Sequence, residues 1–346
     1  MPSATAKTTP DKITSGKEND RGLAALFARI ARGSNTVILP INDAAQAGDE
    51  TSPAFYCVHS LSGAGGTDFI HLAERMPDIR FYGIQAPPAK FEDPSFGSTV
   101  ESLAELYADA LIRFQPQGRF FLGGWSAGVI IGLEIAQKLR ARGRVVSLFA
   151  AIDAIPENTD FGLPSWHPLY MGEWAANSVS WVINDVILNK GSLRALMKRG
   201  VSRAMMQLRP NWRGNKEGGA DTLDAFMDVS RYPAVEKAFM TRLYAALFAY
   251  KPKTYAGPVV AYEAAKKPLL RLPQVGRVWR ALAPRSTVVR LKGTHLSVLK
   301  PGDVDPLAHD LEARIAAIWE QIPADRAKSE ETILAAEDEA LTRQSA

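Results

Sequence analysis

Gly124-Trp125-Ser126-Ala127-Gly128 reads G-x-S-x-G, the spacing a serine nucleophile needs when it stands on a sharp strand-to-helix turn. An apolar run at 119–123 precedes it and a helical pattern at 127–141 follows, so strand, turn and helix stand in the required order. The glycines two positions either side of Ser126 remove Cβ atoms that would collide in so tight a turn. On this geometry Ser126 Oγ stands above the end of the strand, and the N–H of Ala127 points to where an oxyanion would form. Without that setting the same five residues read as a glycine-rich loop with an ordinary serine.

A serine hydroxyl is a poor nucleophile at neutral pH, so it needs a base, and the base needs an acid to hold its tautomer. The chain has 5 histidines: His59, His71, His167, His295 and His309. Sites of this kind run in the order serine, acid, histidine, which leaves the last three. His309 falls within a helical pattern at 306–321, and His167 lies early in a segment without strands. His295 follows a strand pattern at 287–292 and a Gly293-Thr294 turn, on the sheet edge to which Ser126 points. Two carboxylates qualify as the acid. Asp153 ends a strand pattern at 145–152, between Ile152 and Ala154, where an ionised group requires a partner. Glu263 ends a strand pattern at 257–262 and has Lys266 and Lys267 beside it. Position alone leaves both open. A second oxyanion donor is expected from the glycine-rich run His59-Ser60-Leu61-Ser62-Gly63-Ala64-Gly65-Gly66, through the N–H of Leu61 or of Ser60. His59 reads as a hydrogen-bonding residue of that loop.

The elements that must position these residues follow a rhythm. Strand patterns at 54–59, 80–85, 119–123 and 145–152 alternate with helical patterns at 67–75, 100–113 and 127–141. Such alternation builds a mostly parallel central sheet flanked by helices. The rhythm breaks at Pro156 and resumes with the strands at 257–262 and 287–292 and the helix at 306–321. The interval, about 156–250, reads as a helical lid insertion over the edge of the sheet. Trp174 and Trp181 inside it, with Trp125 at the turn, are candidates for the wall of a substrate pocket; the alternative is that such aromatics pack the insertion's own core. Trp166 and Trp212 fall in the same interval. Residues 42–52 read as a linker or hairpin loop, 1–20 as disordered and 21–32 as a short amphipathic helix. The expected organisation is an N-terminal extension at 1–50, an α/β domain at 51–322 and a charged tail at 323–346, helical or disordered.

With 346 residues, 46% of them hydrophobic, the chain can bury a sizeable core. No run of about 18 apolar residues argues for a membrane span, and the polar start lacks the apolar centre of a secretory signal. The single cysteine, Cys57, excludes an internal disulfide and a cysteine-based metal cluster, and reads as a buried small hydrophobe. A cytoplasmic protein with no metal and no bound cofactor is expected. The net charge of +4 is mildly basic. The basic stretch from Lys190 to Lys216 fits either a solvated helix face or a docking surface for an acidic partner. No aromatic interleaving or motif argues for nucleic acid.

Taken together, Phe55-Tyr56-Cys57-Val58-His59 with Gly63 to Gly66, Tyr82-Gly83-Ile84-Gln85-Ala86, Leu122 to Gly128, and Gly293-Thr294-His295-Leu296-Ser297 resemble the thioesterase domains that end nonribosomal peptide and polyketide assembly lines. The resemblance spans roughly 53–320, the insertion excepted, and implies an α/β-hydrolase fold. In that family the acid follows the strand after the nucleophile's helix, which implies Asp153 rather than Glu263, and so a triad of Ser126, Asp153 and His295 with backbone donors Ala127 and Leu61. It also implies the substrate: an acyl or peptidyl thioester on the phosphopantetheine arm of an acyl or peptidyl carrier protein. Trp125, where editing thioesterases carry a histidine, implies the chain-releasing type. Two departures stand out. Val129 replaces a frequent second glycine, and no carrier domain with a phosphopantetheine serine precedes the domain, so a stand-alone enzyme or a piece of a synthase is expected. A carboxylesterase or lipase of the same fold, an acyltransferase with the same triad, and a catalytically silent scaffold are the rival readings.

Overall fold

The computed structural model describes residues 35–48, 50–156, 158–163, 166–181, 232–267, 274–325 and 330–345. The expected helix at 21–32, Trp212 and the basic stretch at 190–216 lie outside them. The strands are β1 (Ile38–Pro40), β2 (Ala54–Val58), β3 (Arg80–Ile84), β4 (Phe120–Trp125), β5 (Val146–Ile152), β6 (Val259–Lys266) and β7 (Ser286–Thr294). They form one 7-stranded sheet in the order β1-β3-β2-β4-β5-β6-β7, parallel except for β1. Every residue of β2 and β5 is buried, as expected of parallel strands covered on both faces.

The helices are α1 (Asp43–Ala47), α2 (Ile70–Glu74), α3 (Val100–Phe114), α4 (Ala127–Ala141), α5 (Pro168–Trp181), α6 (Ala234–Ala249), α7 (Val275–Leu282), α8 (Asp305–Asp325) and α9 (Glu330–Ser345). α3, α4, α6 and α7 bury their apolar sides in one core, which includes Leu103, Ile131, Phe239 and Trp279. α2 and α8 close the second core on the opposite face, around Leu72 and Leu311. The chain leaves β2 for β3 on one side, then crosses to β4 on the other. The intervening helices therefore lie on opposite faces, and the strand order reverses between β2 and β4, at whose C-terminal ends ligands bind in sheets of this kind. No helix of the described residues is long and apolar enough to cross a membrane.

The structure departs from the sequence expectations at the periphery. Residues 42–52 are more than a linker: Asn42 caps α1 through Ala45 N–H, accepts from Phe81 N–H, and donates to the carbonyls of Met76 and Ile79. The residue that signals a turn is thus a brace between α1 and β3. The helix expected at 67–75 is confined to α2, and β1 and α7 carry too short a pattern to be anticipated. The charged tail includes α9, docked through the buried Glu337 on Arg140 at 2.5 Å and Arg285 at 2.7 Å.

Candidate active site

Ser126 stands between the last residue of β4 and the first of α4, with φ 56° and ψ −122°. A non-glycine residue at positive φ is uncommon and strained, and persists only where the surroundings enforce it. Here the enforcement is visible. A Cβ at Gly124 would overlap the carbonyl of Gly128, and a Cβ at Gly128 would overlap those of Val58 and His59. The two glycines of the motif therefore do more than relax a turn. They let the start of α4 press directly against β4 and the end of β2.

Asp153 follows β5 in the same way and also has positive φ, at 51°; among the described residues these are the only two non-glycine cases. Its side chain is buried and its two carboxylate oxygens are both used. Oδ1 accepts the N–H of Ala264 on β6 at 2.7 Å, and Oδ2 accepts His295 Nδ1–H at 2.9 Å. The Asp153 carbonyl lies 3.1 Å from the same nitrogen. A carboxylate can only accept, so Nδ1 carries the proton and Nε2 of neutral His295 keeps its lone pair for a donor. His295 follows β7 and is about one-third exposed, at 34% of its side chain. Trp125 holds it from behind: its indole N–H donates to the His295 carbonyl at 3.1 Å, and the rings stack at 5.1 Å and 26°. Trp125 thus meets the histidine itself, a placement the motif does not reveal.

The glycine-rich loop is anchored by His59, which is fully buried. Its Nδ1–H donates to the Ser60 carbonyl at 2.5 Å, and Nε2 accepts the Tyr107 hydroxyl at 2.6 Å. Burial holds its pKa down at about 4, so it stays neutral. Leu61 is partly buried against the first core. Ala127 is the first residue of α4, so its N–H has no carbonyl within the helix. A Cβ at Gly65 would overlap the Ile84 carbonyl, which explains the glycine where the loop crosses β3.

Other sequence candidates fall elsewhere. Glu263 is buried on β6 and paired with Lys267 at 2.5 Å and Arg290 at 3.6 Å, away from any histidine contact. His309 is exposed on α8, and His167 accepts the N–H of Leu169 at the start of α5. Trp174 lies on α5, 40% exposed, near the exposed Trp166, Leu169 and Met171. Trp181 ends α5, and its side chain lies outside the described residues. The other end of the insertion behaves differently. Phe239 of α6 is fully buried and stacks on Phe91 at 4.3 Å and 7°, while Arg242 donates to the carbonyls of Phe91 and Phe96. This clamp on the loop after β3 has no signal in a single sequence, because its partners lie far apart in the chain.

The family model described as "Thioesterase domain" matches residues 53–162, the segment from β2 past Ser126 and Asp153. That segment, about a third of the chain, is similar to thioesterase domains. The non-reducing polyketide synthase hmp3 of Hypomyces subiculosus is 38% identical to this chain over 102 residues, 29% of the chain and 5% of that protein. The microperfuranone synthase of Emericella nidulans is 32% identical over 101 residues, 29% of the chain and 11% of that protein. The chain thus spans a small fraction of the curated relatives it matches. The NocB thioesterase domain of the nocardicin cluster superposes with a TM-score of 0.50 at 18% identity, covering 81% of this chain and 99% of that one. A four-domain nonribosomal peptide synthetase gives a TM-score of 0.53 at 20% identity, covering 83% of this chain and 21% of that one. These likenesses and the mostly parallel seven-stranded sheet establish an α/β-hydrolase fold.

Proposed function

We propose that this protein is a serine thioesterase that releases an acyl, peptidyl or polyketide chain from the phosphopantetheine arm of a carrier protein through an acyl-Ser126 intermediate. One observation carries the reading: the two strained residues, Ser126 and Asp153, close adjacent strands, and the Asp153 carboxylate ends on Nδ1 of His295. Strain of this kind concentrates where chemistry requires a fixed side chain.

In the proposed mechanism His295 Nε2 takes the Ser126 proton while Oγ attacks the thioester carbon. The N–H groups of Ala127 and Leu61 receive the oxyanion. The Asp153 carboxylate stabilises the imidazolium without taking its proton. The C–S bond then breaks, the thiol leaves with the proton from His295, and Ser126 is acylated. Water, a nucleophile within the chain, or an external amine or alcohol next attacks the ester, with His295 again as base. The products are an acid, a ring, or an ester or amide. Residues 51–322 act as the acyl-transfer unit. On this reading the insertion at about 156–250 serves the acyl chain, with Trp174 and Trp181 as its candidate aromatic residues, and an acidic carrier protein is the partner for the basic residues between Lys190 and Lys216. The site of action is the cytoplasm.

Intact mass spectrometry with a series of pantetheine thioesters tests this. Wild-type protein should gain the acyl mass and then release it, and Ser126→Ala should gain none. An acyl mass that persists on Ser126→Ala refutes the mechanism. Faster turnover of nitrophenyl esters than of carrier-bound thioesters replaces it with an esterase.

A further inference from the structure

The His295 side chain is about one-third exposed, so burial alone does not fix its ring. A polar pair that the proposed mechanism leaves unused ties down the backbone around it. Ser297 Oγ accepts the N–H of Thr294 at 2.8 Å and the Thr294 hydroxyl at 3.2 Å. A hydroxyl has one proton to give, and Ser297 gives it to Asp303 Oδ2 at 2.5 Å, within the short range of an O–H···O⁻ bond. The carboxylate in turn rests against the backbone of Gly293. That residue has φ 93°, and a Cβ there would overlap both Asp303 Oδ2 and Ser297 Oγ. Glycine at 293 therefore makes room for the pair as well as for the turn.

The place of the pair decides its role. β7 is an edge strand with β6 as its one neighbour in the sheet, and its ladder ends where Thr294 pairs with Lys266. The far side of the turn has an anchor of its own, since Val298, Leu299 and Val304 are buried in the second core. The near side has none: Gly293 carries no side chain and Thr294 is exposed. Backbone bonds from Ser297 and Val298 to the Thr294 carbonyl make the turn. The side-chain pair then connects Gly293 and the Thr294 N–H to Asp303, beside the buried Val304. His295 lies between the connected points, with its Nδ1–H on Asp153 Oδ2 at 2.9 Å. A turn free to pivot at Thr294 would swing the imidazole off that carboxylate.

We infer that Ser297 and Asp303 are positioning residues for His295, their hydroxyl–carboxylate bond holding the backbone before and after the histidine so that its Nδ1–H stays on Asp153. The inference rests on the role proposed above for His295. Both residues act through the backbone and not on the substrate.

The imidazole itself supplies the test. Nitrogen-15 NMR of the full chain at pH 8, with His295→Gln to identify the resonances, gives the population of the Nδ1–H tautomer. Values of kcat and KM for an acyl cysteamine thioester are measured beside it. Ser297→Ala and Asp303→Ala should each shift His295 toward the tautomer mixture of a free imidazole. Each should also lower kcat about tenfold or more with KM little changed, since a misplacement of about 1 Å can cost on the order of 10² in rate. Both variants break one bond, so the double variant should be little worse than either single one. Asp303→Asn keeps an oxygen to accept the Ser297 hydroxyl and should hold kcat within about threefold of wild type. A thermal melt reports folding; where Ser297→Ala does not fold, Asp303→Ala at its partly exposed position decides. Folded alanine variants that keep the native tautomer overturn the inference. So does an Asp303→Asn variant as impaired as Asp303→Ala, and so does a wild-type His295 without the Nδ1–H form. Wild-type protein with the native tautomer but no thioester turnover refutes the proposed function alone, and the tautomer shift in the variants still decides the positioning.

Discussion

Asp153→Asn isolates the part of the proposed mechanism that the geometry specifies most tightly. Oδ1 accepts the N–H of Ala264 at 2.7 Å, and a backbone N–H in that place cannot turn away. In the variant the amide oxygen must stay on Ala264, because an NH₂ group there would set donor against donor. The NH₂ group then faces His295 Nδ1, where the carboxylate accepts at 2.9 Å in the native protein. Nδ1 must become the acceptor, so the imidazole proton moves to Nε2, the nitrogen that has to take the proton of Ser126. The fold is retained, since Asn is isosteric and both hydrogen bonds are remade. A wrong tautomer in a serine triad lowers kcat by about 10⁴, or about 5 kcal/mol of barrier. The assay is steady-state turnover of an acyl cysteamine thioester from pH 6 to 9, beside a thermal melt. Folded Asp153→Asn with more than a tenth of wild-type kcat refutes the reasoning. In that event Glu263→Gln should carry the loss, although its two cationic partners argue against it.

Three further perturbations follow from the same geometry. Trp125→Phe keeps the stacked ring but loses the N–H bond to the His295 carbonyl, worth about 1 kcal/mol, so kcat should fall about fivefold. Trp125→Leu also removes the ring beside the transient imidazolium and should fall roughly thirtyfold in the same thioester assay; equal activities would show that Trp125 does not position His295. Gly128→Ala drives a methyl group into the carbonyls of Val58 and His59, backbone that cannot give way, so a loss of about 3 kcal/mol or more in unfolding free energy, read from urea curves, or no folded protein at all, is expected. His59 has a folded pKa of about 4 against 6.5 for the free side chain. The unfolded chain therefore binds the extra proton first, and His59 costs the fold up to about 3 kcal/mol as pH falls from 6.5 to 4, with nothing lost above 6.5. Urea midpoints from pH 7 to 4.5 should drop more steeply for wild type than for His59→Gln, and parallel curves would remove His59 as the acid-sensitive group.

What was legible in the sequence divides along physical lines. The strands β2, β4 and β5 are long apolar runs closed by glycine or by a polar residue, so both their place and the residues at their ends, Ser126 and Asp153, are readable from pattern. His295 is readable because one histidine alone follows a strand near the end of the chain. The two acids remained even on position, since Asp153 and Glu263 both belong to the C-terminal halves of neighbouring strands. They separate in three dimensions, because the chain turns at Asp153 whereas β6 runs on to Lys266 and holds Glu263 within the ladder. β1 is three residues long with a proline, too short for periodicity to register. The support for His59 from Tyr107 and the grip of Ala264 N–H on Asp153 are long-range contacts that no local pattern encodes.

The insertion illustrates why a lid cannot be read from composition alone. Its tryptophans draw attention to the early part, and α5 does expose Trp166, Leu169, Met171 and Trp174. At the other end α6 is part of the core. Phe239, Met240 and Leu243 are fully buried, and Arg242 ties the helix to the loop carrying Phe91 and Phe96. Lifting α6 would expose those three side chains at about 2 kcal/mol each, and would break the bonds of Arg242 as well. A motion that opens the site repeatedly in turnover cannot carry such a penalty. α6 is therefore a fixed part of the first core. Since Phe239 also fills the space beside Gly63 in the glycine-rich loop, the same packing that immobilises α6 helps to hold the proposed oxyanion donors in place.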